Sequence, residues 1–166
     1  MDDALRIRKD TFEIHYGNMI SEIQKSLSNG CLQSQRLSIA YIEAALHSLM
    51  DYWEKLIVIP NVNFSQELQD TLTAYRFAND KLKHAYKDGY IKPVNRVITG
   101  FQIPYAYPTS FGVNSYFWIN LDSFVEANRK TDPGRLTIYK QKLENKDIRS
   151  TFASVKKMLD EVNLFV

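Results

Sequence analysis

Three ionisable side chains of different chemistry follow one another along the segment Tyr75–His84. Arg76, Asp80 and His84 are each four residues apart, and on an α-helix this spacing places them on one gently drifting ridge. An imidazole titrates near neutral pH and suits proton transfer, and a guanidinium can pair with two phosphate oxygens. The sequence therefore indicates a candidate site along this ridge.

A second face of the same segment is apolar except for one asparagine. Its members are Leu72, Tyr75, Asn79, Leu82 and Tyr86. We expect this face to lie in the core with Asn79 turned inward and hydrogen-bonded, because an unsatisfied buried polar side chain costs about 1 to 3 kcal/mol. The spacing predicts a helix over 64–86, with Asn63 or Ser65 as its N-terminal cap.

Two longer amphipathic helices are predicted before it, over 2–28 and 34–59. The apolar positions of the first are Leu5, Phe12, Tyr16, Met19, Ile23 and Leu27. Those of the second, which alternate steps of three and four, are Ile39, Ile42, Leu46, Leu49, Trp53 and Leu56. Such unbroken spacing is typical of a central core helix, and Pro60 is expected to end it because proline cannot continue the hydrogen-bond ladder.

The pattern changes after Pro93 from the helical period to a period of two. β-branched and aromatic residues alternate in Val94–Ile103 and Ser115–Leu121, and Leu136–Leu143 resembles a third strand. A turn is predicted over 144–146 and a short helix over 122–130. The apolar face of a closing helix follows at Ile148, Phe152, Val155, Leu159 and Val162.

These elements predict an α+β fold in a single domain over 1–166. A long antiparallel helical bundle over 2–90 forms its core, and a small three-stranded antiparallel sheet occupies 93–146. A C-terminal helix over 147–166 closes the domain. The length of 166 residues and a hydrophobic fraction of 45% suit one folded core without disulfides.

Cysteine usage and hydropathy favour a cytoplasmic protein. Cys31 is the only cysteine, so no internal disulfide can form, and the first residues lack the apolar core of a signal peptide. No apolar run approaches the roughly 20 residues that a membrane-spanning helix needs. We therefore expect neither secretion nor membrane insertion.

The net charge of +2 conceals an uneven distribution along the chain. Residues 1–75 carry six basic and ten acidic side chains, whereas 76–96 carry six basic and two acidic, and 128–149 carry seven basic and three acidic. Two basic segments of +4 could therefore meet in the fold and attract a polyanion. An ordinary solvated surface explains the same counts.

Two other patterns have both a structural and a chemical interpretation. Seven aromatic residues between Phe101 and Trp118 suit a sheet core, or a base-stacking platform in which Tyr105 and Tyr107 take part. Glu43, His47 and Asp51 form a ridge that suits a solvated face or, less economically, a metal. Glycine-rich phosphate loops, cysteine–histidine metal spacings and nucleophile-elbow serines are absent from the sequence, and we expect no cofactor or metal.

The first half of the chain resembles the HEPN superfamily over about residues 2–90. The resemblance lies in two long helices and a third that carries Arg76 and the run Asn79–His84. It implies an α-helical, usually dimeric protein that often cleaves RNA without a metal, using the RNA 2′-hydroxyl as nucleophile. His84 would then transfer the proton and Arg76 would pair with the phosphate. Asp80 would hold the side chain of either Arg76 or His84 in position. Asn79 completes the candidate catalytic set.

Two classes of function stay open at this stage. One is an endoribonuclease of toxin or phage-defence type, and the other is a non-catalytic HEPN-like module for binding RNA or a nucleotide, or for dimerisation. The predicted nucleic-acid-binding residues are Lys81, Lys83, Lys87, Lys92 and Arg96. We also expect a homodimer, because the long hairpin has more apolar surface than one core needs. An antitoxin or other partner protein would suit the toxin interpretation.

Overall fold

The computed structural model describes residues 3–29, 32–87, 105–106, 116–118 and 132–162. Their regular structure consists of five helices and one short pair of strands. In chain order these elements are α1 (Asp3–Asn29), α2 (Leu32–Leu56), α3 (Gln66–Lys87), β1 (Tyr105–Ala106), β2 (Phe117–Trp118), α4 (Pro133–Lys142) and α5 (Ile148–Asp160). Helix accounts for 81% of the described residues. The expected α+β class is therefore wrong, and the described fold is mainly helical.

Helices α1 and α2 pack against each other as an antiparallel hairpin. Arg8, near the start of α1, contacts Asp51, near the end of α2, at 2.9 Å, so the two helices run in opposite directions. The buried apolar residues of α1 are Leu5, Phe12, Met19 and Ile23. Four of the six predicted positions thus lie in the core, Tyr16 is half-buried, and the helix predicted over 2–28 is confirmed.

All six apolar positions predicted for α2 are buried, as expected for a core helix, but the helix ends at Leu56, three residues before the predicted end. Ile59 donates its backbone N–H to the Leu56 carbonyl at 3.2 Å, which closes a tighter turn. Pro60 disfavours helical geometry in the residue before it. Asn61 then adopts a left-handed conformation with φ of 64°, which asparagine tolerates better than most residues.

Helix α3 begins with one of the two predicted caps. The Ser65 hydroxyl accepts the backbone N–H of Leu68 at 3.2 Å, and the Ser65 carbonyl accepts the first helical bond, from Gln69. This is the usual geometry of a serine cap, which satisfies an N–H that has no partner within the helix. The helix predicted over 64–86 is confirmed within two residues.

The segment Leu136–Leu143, predicted as a strand, lies in α4 except for its last residue. Leu136, Tyr139 and Leu143 are spaced by three and four residues, which places them on one face of a helix. The alternation of a strand would put Leu136 and Tyr139 on opposite faces. Tyr139 and Leu143 are fully buried. The spacing of this apolar set therefore agrees with the helix that the structure shows, and the prediction of a strand was wrong.

The start of α4 has two features that favour a helix, a capping aspartate and a proline in the first turn. Asp132 precedes the helix and its Oδ1 accepts the backbone N–H of Gly134 at 2.9 Å, while Pro133 occupies the first turn. Proline is favoured there because its fixed φ suits a helix and its missing N–H would lack a helical partner anyway.

Strand structure in the described part of the chain is limited to an antiparallel pairing two residues long. The pairs are Tyr105 with Trp118 and Ala106 with Phe117. The predicted three-stranded antiparallel sheet is therefore wrong, because its third strand is helical. The predicted strand Ser115–Leu121 contains β2, whereas Val94–Ile103 and the short helix predicted over 122–130 lie outside the described residues.

The backbone of β2 also bonds to the turn between α4 and α5. Trp118 donates its N–H to the Lys146 carbonyl at 3.0 Å and accepts the N–H of Asn145 at 2.9 Å. Asn145 adopts a left-handed conformation with φ of 59°. The turn predicted over 144–146 is thus confirmed. Its backbone forms the hydrogen bonds with β2 that a third strand was expected to form.

Helix α5 confirms the predicted closing helix and carries part of an aromatic core. Its buried apolar residues are Ile148, Phe152, Val155 and Leu159. Tyr75 meets Trp118 and Phe152 edge-on, with ring centroids 5.4 and 5.0 Å apart. The indole N–H of Trp118 donates to the Thr151 hydroxyl at 2.8 Å, so this large buried ring has its one polar atom satisfied.

The chain divides into two compact units. The first comprises Met1–Phe64 and Lys156–Val166, and the second comprises Ser65–Val155. The first contains the α1–α2 hairpin and the end of α5, and the second contains α3, the strand pair, α4 and the start of α5. In the described ranges, no helix has both the length and the apolar character needed to cross a bilayer.

Candidate nucleic-acid interface

The ridge on α3 is partly accessible where its side chains are described. Arg76 is half-buried, and the Asp80 side chain is 44% exposed. Asp80 Oδ2 lies 3.5 Å from Nη1 of Arg135 on α4, so its carboxylate has an ionic partner outside the predicted set.

Asn79 is almost completely buried, with 3% of its surface exposed. Leu72 and Tyr75, on the same face of α3, are fully buried, as the sequence pattern predicts. Asn79 therefore lies among the core residues of the second unit. Its predicted place in the core is confirmed, whereas its place in a catalytic set stays a prediction.

The remaining predicted site residues fall outside the described side chains. Helix α3 continues through residues 81–87, but the structure describes only its backbone there. The residues concerned are Lys81, Lys83, His84 and Lys87, and the positions of Lys92 and Arg96 lie outside the described residues altogether. Arg76 and His84 are eight positions apart on α3, which corresponds to a rise of about 12 Å along the helix axis.

Helix α4 supplies basic side chains beside α3, with which it packs. Its charged residues are Arg135, Lys140 and Lys142, and it contains no acidic residue. Arg135 pairs with Asp80, and Lys142 pairs with Glu67 at 2.5 Å, so the two helices are antiparallel. In the part of the chain that the structure describes, the two segments with excess basic charge therefore contact each other through Asp80 and Arg135.

Sequence reasoning missed Arg135 as an individual site residue because the segment that follows it resembled a strand. The Asp132–Pro133 pair is a helix-start signal that could have identified Arg135. It predicts that the residues after it form a helix, and all charged residues of that helix are basic. The segment charge count located the region without identifying the residue.

Burial excludes two aromatic residues from a stacking platform. Tyr116 and Trp118 are buried in the second unit, which confirms the core interpretation for them. Tyr139 on α4 is also fully buried, and burial, with a smaller contribution from Glu144, raises the pKa of its phenol well above the usual value. Such a phenol stays protonated at neutral pH. Tyr107 lies outside the described residues.

A separate group of charges belongs to the first unit. Lys9 and Lys156 each lie within 4 Å of both Glu13 and Asp160. The bond with Asp160, 2.6 Å long, raises the pKa of Lys156. Burial, followed by the nearby Asp160 and Glu13, raises the pKa of Tyr52 to about 12. Two cations balance two carboxylates here, so the group joins helices and offers no excess charge to a ligand.

The ridge Glu43, His47 and Asp51 is partly engaged in the hairpin. Asp51 pairs with Arg8, and His47 is exposed. Within the ranges that the structure describes, no group of three or more histidine, cysteine, aspartate or glutamate side chains is placed to hold a metal ion.

Comparisons with known proteins identify no relative of this chain. No family model, no curated protein and no solved structure matches the chain.

Proposed function

We propose that this protein binds single-stranded RNA on the face formed by helices α3 and α4. The observation that carries the proposal is the contact of Arg135 with Asp80, which brings the wholly basic charge of α4 beside the basic half of α3. Lysine and arginine side chains that contact phosphates release condensed counterions, and this release supplies most of the affinity in sequence-independent binding. The residues predicted from the sequence to bind nucleic acid, Lys81, Lys83, Lys87, Lys92 and Arg96, belong to this proposal.

The proposal takes the protein as a HEPN-like binding module rather than a nuclease. Two observations favour binding over cleavage. Asn79 is buried, and the backbone positions of Arg76 and His84 lie about 12 Å apart along the helix axis, whereas cleavage would need both residues at one phosphate. A backbone-binding face needs no such convergence, because successive phosphates lie several ångströms apart.

Metal-independent cleavage of RNA is the second candidate function. The exposed carboxylate of Asp80 and the half-buried Arg76 lie one helical turn apart, which keeps this part of the ridge within reach of a ligand. In this version His84 is the general acid and base, as a neutral-range imidazole permits. A toxin or phage-defence role, a cytoplasmic location and an antitoxin partner belong to this candidate.

A homodimer is part of either version of the proposal. Exposed apolar side chains occur in the first unit at Ile7, Ile14 and Val58, which are 60%, 62% and 72% exposed. Ile7 and Ile14 are seven residues apart, so they lie on one face of α1. Sedimentation equilibrium at tens of micromolar should show a species of twice 19.3 kDa; a monomer throughout that range would remove this part of the proposal.

One experiment separates binding, cleavage and neither. Purified protein is mixed in EDTA with a fluorescein-labelled RNA of mixed sequence, about 20 nucleotides long so that it exceeds a single-strand site. Anisotropy measures binding, and a denaturing gel of the same samples measures cleavage. The proposal expects saturable binding with intact RNA. Cleavage that His84→Ala abolishes would establish the second candidate, and the absence of both binding and cleavage at low salt would reject both.

A further inference from the structure

Among the side chains that the structure describes, two ion pairs join α4 to α3, and the cations of these two pairs differ in exposure and in distance from their partners. The Lys142 side chain is only 19% exposed and its Nζ lies 2.5 Å from Glu67. Arg135 and Asp80 are 45% and 44% exposed, and their closest approach is 3.5 Å. A solvated pair at that distance adds little to stability. Lys142 is therefore the less accessible of the two cations, and Arg135 can exchange its partner at small cost.

A second carboxylate approaches Arg135 from its own helix. Asp132 Oδ2 lies 3.9 Å from Nε of Arg135, while Oδ1 of the same side chain caps α4. Arg135 is thus flanked by two carboxylates at long range and forms a short bidentate pair with neither. A guanidinium has five N–H donors and matches a phosphate in bidentate geometry. A phosphate would therefore give Arg135 better-formed hydrogen bonds than it has here.

We propose that Asp80 is an internal competitor of the RNA phosphate for Arg135. In the free protein Asp80 holds the guanidinium, and on binding a phosphate displaces the carboxylate and pairs with Arg135. This inference rests on the proposed function and adds its regulation. The carboxylate lowers affinity for any single phosphate, so the face retains polyanions that several cations contact at once and releases short or singly charged ligands.

The test replaces the competitor by a neutral side chain of equal size. With the labelled RNA described above, Asp80→Asn should bind about fivefold more tightly than wild type, because the phosphate no longer has to break an attraction between opposite charges roughly 4 Å apart in water. The gain should vanish when Arg135 is absent, so Asp80→Asn/Arg135→Ala should match Arg135→Ala within about 1.5-fold. Asp80→Ser makes the same charge change and serves if the asparagine variant fails to fold.

Asp70→Asn is the matched control. It removes the same charge from the same helix, ten residues and therefore about 15 Å from Asp80, which exceeds the Debye length of about 8 Å at physiological salt. Its affinity should stay within about 1.5-fold of wild type.

Three outcomes would overturn the inference while leaving RNA binding intact. These are an unchanged or weaker affinity in Asp80→Asn, a gain that persists without Arg135, and an equal gain in Asp70→Asn. If wild-type protein does not bind the RNA at all, the proposed function fails, and the inference fails with it.

Discussion

The buried hydrogen bond between Trp118 and Thr151 gives the sharpest stability prediction. Thr151 Oγ1 accepts the indole N–H at 2.8 Å and donates to the Ile148 carbonyl at 2.9 Å, and Trp118 is completely buried. Thr151→Val keeps the shape of the side chain and removes the acceptor, which leaves a buried N–H without a partner. That should lower the free energy of unfolding by about 1 to 3 kcal/mol, or the midpoint of thermal unfolding by roughly 2 to 12 °C for a chain of this size.

Thr137→Val is the matched control for this change. Thr137, like Thr151, donates its hydroxyl to a backbone carbonyl of its own helix, in this case that of Pro133. Thr137 is exposed, however, and its hydroxyl accepts no hydrogen bond from an indole. Its substitution should change the free energy of unfolding by no more than about 0.5 kcal/mol. Urea unfolding followed by tryptophan fluorescence measures both variants. Equal effects of the two substitutions would refute the account of the buried bond.

Two further predictions concern other buried groups. Asn79→Ala should lower the free energy of unfolding by about 1 to 3 kcal/mol, and the exposed Asn63→Ala by less than about 0.5 kcal/mol; similar losses in urea melts would show that Asn79 is not a core residue. Because the pKa of Tyr52 is raised to about 12, the folded protein keeps this proton between about pH 10 and 12 while the unfolded chain loses it, so stability falls as pH rises through that window. Tyr52→Phe should flatten the decline, and an unchanged alkaline slope would argue against the raised pKa.

The helices could be predicted because their signals are local and long. Six apolar positions at helical spacing run through α2 without interruption, and all six are buried. Ser65 caps α3, as one of the two predicted residues. The segment Leu136–Leu143 was wrongly predicted as a strand, although Leu136, Tyr139 and Leu143 have helical spacing and Asp132–Pro133 is a favourable helix start.

The candidate site was predictable in part, for a different physical reason. The burial of Asn79 could be predicted because Asn79 belongs to the apolar face of its own helix, and the spacing of the sequence reveals that face. The contact of Asp80 with Arg135 joins positions 55 residues apart, and no local pattern encodes such a pair. Segment charge indicated that two basic regions could meet, but the partner of Asp80 required the packing of α4 on α3.

The salt dependence of RNA binding tests the central claim most directly. The logarithm of the association constant should fall linearly with the logarithm of salt concentration for wild-type protein. Arg135→Ala, which removes one proposed phosphate contact, should reduce that slope by about 0.7 to 1, whereas Arg36→Ala, which removes an exposed cation from the first unit, should leave it unchanged. Equal slopes for wild type and Arg135→Ala, or the absence of binding at low salt, would contradict an RNA interface on α3 and α4.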